Sequence, residues 1–265
     1  MSIISEETLL NKYIPFGIPV PYKNWNIKPI KIRNLLSVST ILGLLEIDKN
    51  TLGTIEFITM SNLKFILLMV GVDEEYANQL ETLLRLSLGI SDDEVIEVVM
   101  NNTEEYLSVG EVIREVKGHL IFDDNKVKKI TANDFDEIKR IVLYQNILDY
   151  SEKYVDPDVK KMADEYYRLK NKNTPDVSLE HKVVCVQMKT GMTLEAIGDL
   201  TIRHFIQLFN TIVEESEYSA NRLAESMGCK FKKPLEHWAY KERKDKYAEA
   251  FCDADAFVDK VQSAN

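Results

Sequence analysis

Seam positions along residues 200–228 recur at steps of four and three: Ile202, Ile206, Phe209, Val213, Ser216, Ala220, Leu223 and Met227. That spacing predicts a helix of about seven turns with one face turned to a partner. Phe205 and Ile212 widen the seam into the stripe of a core-packed helix, broader than a strict coiled-coil edge. Asp199 or Thr201 can cap its start, and Gly228 is placed to end it in a left-handed turn.

The same periodicity predicts helices elsewhere. One runs through Leu35, Leu36, Val38, Leu42 and Leu45, followed by two at 60–70 and 74–88, the second capped by Asp73. Between 95 and 130 the period changes to two. Residues 95–100, 119–122 and 126–130 read as strands, with 112–116 as a further candidate. Asp123-Asp124-Asn125 is a hairpin turn joining 119–122 to 126–130. A helix returns after the Thr131–Asp134 capping sequence, through Phe135, Ile138, Ile141, Val142 and Leu148. Further helices are expected from Pro157 to Leu169, after a Ser178 cap, and over 241–261. Residues 1–29 carry Pro15, Pro19, Pro21 and Pro29 among Phe16, Tyr22 and Trp25. Prolines remove backbone donors and forbid a continuous helix, so this stretch reads as an extended arm or a set of turns, wrapped on its own domain or docked on another chain.

The expected fold is therefore mainly α. It is a multi-helix bundle around the long 202–227 helix, with a small β-hairpin insertion near residues 95–130. The expected parts are an extended arm at 1–29, helices plus the β insertion at 30–131, and a C-terminal helical bundle at 132–265. The last two can be one continuous domain.

Charge and composition exclude more than they identify. With 43 acidic residues against 33 basic ones the net charge is −10, which opposes non-specific attraction to nucleic acid or anionic membranes. The longest apolar run, 65–72, is far below the roughly 20 residues of a membrane span. The N-terminus is acidic where a signal peptide is basic. Cys185, Cys229 and Cys252 are dispersed and odd in number, so neither a disulfide framework nor a zinc knuckle is indicated. His119, His181, His204 and His237 show no metal-ligand spacing, and His181 beside Glu180 lacks the second histidine of a metalloprotease helix. There is no phosphate-cradling glycine loop and no nucleophile elbow. Acidic pairs at 92–93, 123–124 and 214–215 sit at turns or on charged helix faces. The sequence thus predicts no catalytic residue, no metal and no cofactor. An enzyme whose site is assembled from distant residues is the alternative of another class.

Residues 230–246, KFKKPLEHWAYKERKDK, are locally basic with aromatics interleaved. Three readings are open: gap-filling between helices, a nucleic-acid strip with bases on the rings, or a protein docking site anchored by aromatic and proline side chains. The candidate partner-binding residues are Phe231, Pro234, His237, Trp238 and Tyr240.

One family resemblance is carried by short stretches of the second half. These are Asp136-Glu137-Ile138 through Tyr144-Gln145-Asn146, Tyr154-Val155-Asp156-Pro157, Leu169-Lys170-Asn171-Lys172 and Thr201-Ile202-Arg203. The run from Lys230 to Trp238 completes them, with weaker similarity at Asp48-Lys49-Asn50. They resemble proteins encoded in the tail modules of phages and prophages of low-GC Gram-positive bacteria. The resemblance covers about 110 residues and contains no catalytic motif. It implies a non-enzymatic protein-binding factor in tail or baseplate assembly. The chaperones of this class coat the tape-measure protein until the tube polymerises around it. The implied partners are tape-measure, tube or baseplate proteins, or a second copy, with neither membrane nor nucleic acid. The implied location is the host cytoplasm during assembly. A structural tail or baseplate component of the virion is the alternative.

Overall fold

The computed structural model describes residues 4–52, 54–100, 105–116, 119–123, 126–152, 162, 165, 177–231 and 234–240. The protein is mainly helical with a few small antiparallel sheets. Of the two expectations for residues 1–29, the described part follows the set of turns and not the extended arm. Glu6–Thr8, Leu9–Tyr13 and Ile14–Phe16 are consecutive helical turns, and Val20–Tyr22 (β1) pairs with Trp25–Ile27 (β2). Leu9, Val20, Trp25 and Ile27 are buried. The prolines fit because Pro15 opens a short 3-10 turn and Pro21 lies in a two-stranded ribbon, places where a missing donor costs little.

Ser39–Glu46 forms α1. It starts later than Leu35 because residues 32–38 are spent on a 3-10 turn and bends. Val38 gives α1 no side-chain cap. Buried Gln79 supplies the acceptor from another helix, its Oε1 taking bonds from Thr40 N and Ile41 N at 3.1 and 3.2 Å. Ile55–Thr59 (α2), Asn62–Val70 (α3) and Glu74–Leu88 (α4) follow. Asp73 caps α4 as expected, and Gly89, at φ 67°, ends it in the left-handed region.

The β region is larger than the sequence indicates, and its pairing differs. Val95–Met100 (β3), Glu105–Gly110 (β4), Val112–Val116 (β5), His119–Phe122 (β6) and Lys128–Thr131 (β7) form two sheets. One has the order β3-β4-β7 and the other pairs β5 with β6. The expected hairpin of 119–122 with 126–130 is not made: β6 takes β5 and β7 takes β4, all antiparallel. Strand β4 carries the buried Leu107 and Val109 and forms the middle of its sheet.

Ala132–Asn146 (α5) begins at a complete capping box: Thr131 Oγ1 accepts from Asp134 N, and the Asp134 carboxylate accepts from Thr131 N. It is the most deeply buried helix among the described residues, with Phe135, Ile138, Ile141, Val142, Leu143 and Tyr144 all at 2% exposure or less. Leu179–Thr190 (α6), Leu194–Asp199 (α7) and Ile202–Ser226 (α8) complete the described helices. Ser178 caps α6, Thr201 caps α8, and Gly228 at φ 97° closes α8, each as the sequence indicates. Of the helix expected at 157–169 only Met162 and Glu165 are described, both helical, and the one expected at 241–261 lies outside the described residues.

The chain forms two compact units, residues 1–148 with 193–206 and residues 149–192 with 207–265. The boundary expected at 131/132 falls inside the first unit, because α5 packs against α3, α1 and β2 of the preceding chain. Within the first unit, Ile30 is a crossing point. Its N–H donates to Asn146 Oδ1 at 3.0 Å and its carbonyl accepts from Ile202 N at 2.9 Å. Ile32 N donates to Leu200 O at 2.8 Å beside it. Buried Arg203 donates to the carbonyls of Tyr144 and Ile147 at 2.9 and 2.5 Å, where α5 has run out of intrahelical donors. In the second unit, Lys182 Nζ lies 5.8 Å from the Phe209 ring and Lys189 pairs with Glu215 at 3.6 Å. No described helix is long and apolar enough to cross a membrane.

Replacing Arg203 with methionine keeps its packing volume but strips two charge-assisted bonds from buried carbonyls. The expected loss is about 3 kcal/mol of unfolding free energy, read as a lower urea midpoint. Lysine at the same position should recover part of it.

Candidate functional site

The segment after α8 turns back along the helix. Its reversal uses a C-terminal motif in which Cys229 N donates to Ala224 O and Gly228 N to Glu225 O, both at 3.0 Å. Nine residues on, the ring of His237 lies 4.8 Å from that of Tyr218. Tyr218 is ten positions before Gly228, roughly 15 Å back along the helix at 1.5 Å per residue. His237 therefore lies back beside the helix, well before its end.

At the end of this return the chain makes a 3-10 turn, Trp238–Tyr240. His237 caps it: Nδ1 accepts from Ala239 N at 3.1 Å, and the His237 carbonyl accepts from Tyr240 N at 3.0 Å. With Nδ1 accepting, neutral His237 carries its proton on Nε2. Its ring stacks on Trp238 at 5.5 Å and 27°, and lies 5.6 Å from Tyr240. His237 is thus the centre of a four-ring cluster, an arrangement that fixes aromatic faces at low entropic cost.

The cluster is open. Tyr240 is 79% exposed and Phe231 40%; Pro234 and His237 are exposed and Trp238 is half-buried. Of the five candidate residues, the structure brings His237, Trp238 and Tyr240 into mutual contact. Among the described residues no ring contact joins Phe231 to them. Tyr218 was missed by sequence reasoning. Its signal is a large aromatic lying off the seam of an amphipathic helix. On the same helix, Leu223 and Met227 are also exposed although they continue the seam.

The strongest electrostatic perturbation lies in the first unit instead. Buried Asp134 accepts from Tyr22 Oη and Thr131 Oγ1, both at 2.9 Å, and pairs with Lys23. Lys23 turns the β1–β2 ribbon at φ 50°. Burial, and then the bond to Asp134, push the Tyr22 hydroxyl up to about 12. For Asp134 burial favours the neutral acid, but bonds from Lys23, Thr131 and Tyr22 outweigh it and hold the carboxyl below its usual range. Both carboxylate oxygens are occupied by donors from the capping box and the ribbon, so this group fastens structure. Among the described residues no cluster of three histidine, cysteine or acidic side chains is disposed to hold a metal.

Compared with known proteins, the chain matches no family model, no curated protein and no solved structure.

The perturbed pair sets a pH window. Tyr22 is raised in the fold from 10.0 to about 12, so its contribution is complete below pH 10 and disappears as the pH rises towards 12. Asp134 is lowered from 3.8, so its contribution is present above that pH and is lost on further acidification. Urea midpoints measured across pH should fall at both ends. Tyr22→Phe should flatten the alkaline limb, and Asp134→Asn the acid one.

Proposed function

We propose that this chain is a non-enzymatic protein-binding factor of bacteriophage tail or baseplate assembly, acting as a tail assembly chaperone in the host cytoplasm. The single observation that carries the binding role is the open cluster of His237, Trp238 and Tyr240 held on Tyr218. Aromatic side chains in a fixed, partly exposed arrangement are the usual anchors of protein interfaces. Leu223 and Met227, exposed on the same helix, add apolar area suited to a helix-in-groove contact. The phage setting rests on the resemblance of the stretches at 136–146, 201–203 and 230–238. In this reading α8 is the spine of a helical bundle in the second unit and presents the aromatic segment. The tape-measure, tube or baseplate proteins are its partners.

Trp238→Ala and Tyr240→Ala test it directly. Co-expressed with the tail proteins of the same genome, either variant should lose partner capture by about 30-fold, the size of one interface anchor. Thermal unfolding should stay near that of the parent chain. Unchanged capture with a lowered melting temperature would make Trp238 a core residue and end the proposal. Mass spectrometry of purified virions separates the two assembly roles: a chaperone is absent, and a structural component is present in stoichiometric amount.

A further inference from the structure

The three-stranded sheet treats its two edges differently. At one edge β7 carries Lys128 and Lys129, with Lys129 Nζ over the Tyr106 ring and Lys128 Nζ over Trp25. Edge lysines are a common guard against strand addition. At the other edge β3 reads Val-Ile-Glu-Val-Val-Met, with no lysine, proline or glycine. Among the described residues its one strand neighbour is β4. Among the described residues, one row of its main-chain donors and acceptors therefore has no strand beside it.

The side chains point to the same edge. Val98 lies opposite Leu107 and Ile96 opposite Val109, so these β3 residues share a sheet face with two residues of β4 that are fully covered. Leu107 is 1% exposed, yet Val98 across from it is 49% exposed and Met100 is 45%. The apolar layer continues past β4 onto β3, and its cover does not.

We propose that β3 is a self-association edge, at which a second copy of the chain adds its own β3 antiparallel to make one six-stranded sheet. The occupant has to be an extended strand, because main-chain groups are what the edge offers. It also has to present apolar side chains on the inner face and no acid opposite Glu97. A second β3 meets both conditions with the longest overlap inside the strand, five residues a side, in one register. A two-fold axis through an antiparallel pair brings residues of one face opposite each other. Centred on Glu97 it opposes two carboxylates, an unfavourable pair. Centred on Val98 it sets Val98 against Val98, Ile96 against Met100 and Glu97 against Val99. It also covers both exposed inner-face residues. This surface belongs to the first unit and is independent of the aromatic cluster of the second. Five residues a side bury far less than a standard interface of roughly 1,600 Å², so the association is weak and concentration-dependent, and covalent trapping is the suitable readout.

The test uses the full chain with Cys185, Cys229 and Cys252 replaced by serine, carrying either Val98→Cys or Val95→Cys, under mild oxidation. Paired copies place residue 98 directly opposite itself, within disulfide reach. Residue 95 faces 101, about 20 Å from its own counterpart at 3.3 Å per residue. A disulfide-linked dimer should form at least tenfold faster with Val98→Cys. In the unmodified chain, Val98→Lys should lower the dimer fraction in sedimentation equilibrium while its circular dichroism stays that of the parent. Equal cross-linking at both positions, cross-linking at neither, or a dimer fraction unmoved by Val98→Lys would each overturn the proposal.

Discussion

Arg203 closes the C-terminal end of α5 from inside the core. A helix end leaves carbonyls without partners, and α5 ends among buried residues, where water does not satisfy them. The guanidinium answers two of them, at Tyr144 and Ile147. Asn146, the last residue of the same helix, reaches out to Ile30, and Ile30 in turn accepts from Ile202. Three stretches remote in sequence, around residues 30, 146 and 202, are thereby held at one place by directional bonds. Asp199 reinforces the exterior of the junction, pairing with Lys31 and Arg33 at 2.7 and 2.6 Å. Those exposed pairs are worth far less than the buried bonds.

This junction explains why α5, and not the long α8, is the helix around which the first unit packs. Both carry an apolar stripe in sequence. The stripe of α5 is covered along its length, whereas α8 is fully buried only at Ile202, Arg203 and Phe205. Periodicity reports that a helix has a face to bury; it does not report what buries it. The polar residues that hold the junction, Arg203 and Asn146, are not part of the apolar stripes, so periodicity passes over them.

Local chemistry was legible. The caps at Asp73, Thr131, Ser178 and Thr201 and the left-handed exit at Gly228 all depend on residues within a few positions, and they are where the sequence puts them. Non-local pairing was not. The Asp123-Asp124-Asn125 turn suggested that 119–122 and 126–130 pair, but each took a different, earlier strand. Strand β4, with Glu105 at its start and Gly110 at its end, does not stand out by composition. The N-terminal prolines forbid a continuous helix and fit short turns and a ribbon, but nothing local in the sequence pairs β1 with β2. At the candidate site, the 230–240 segment was recognisable from its aromatics, but its anchor Tyr218 was not, since that contact depends on the chain folding back after Gly228.

The buried polar bonds lie in the first unit and the open aromatic cluster in the second. The buried bonds concentrate stability at α5 and its junction. Native-state hydrogen exchange on the isolated chain measures this residue by residue. The amides of α5 and of Ile30, Ile32 and Ile202 should exchange through global unfolding alone, with residues 213–226 of α8 exchanging faster by local opening. Protection of 213–226 equal to or greater than that of α5 would contradict it.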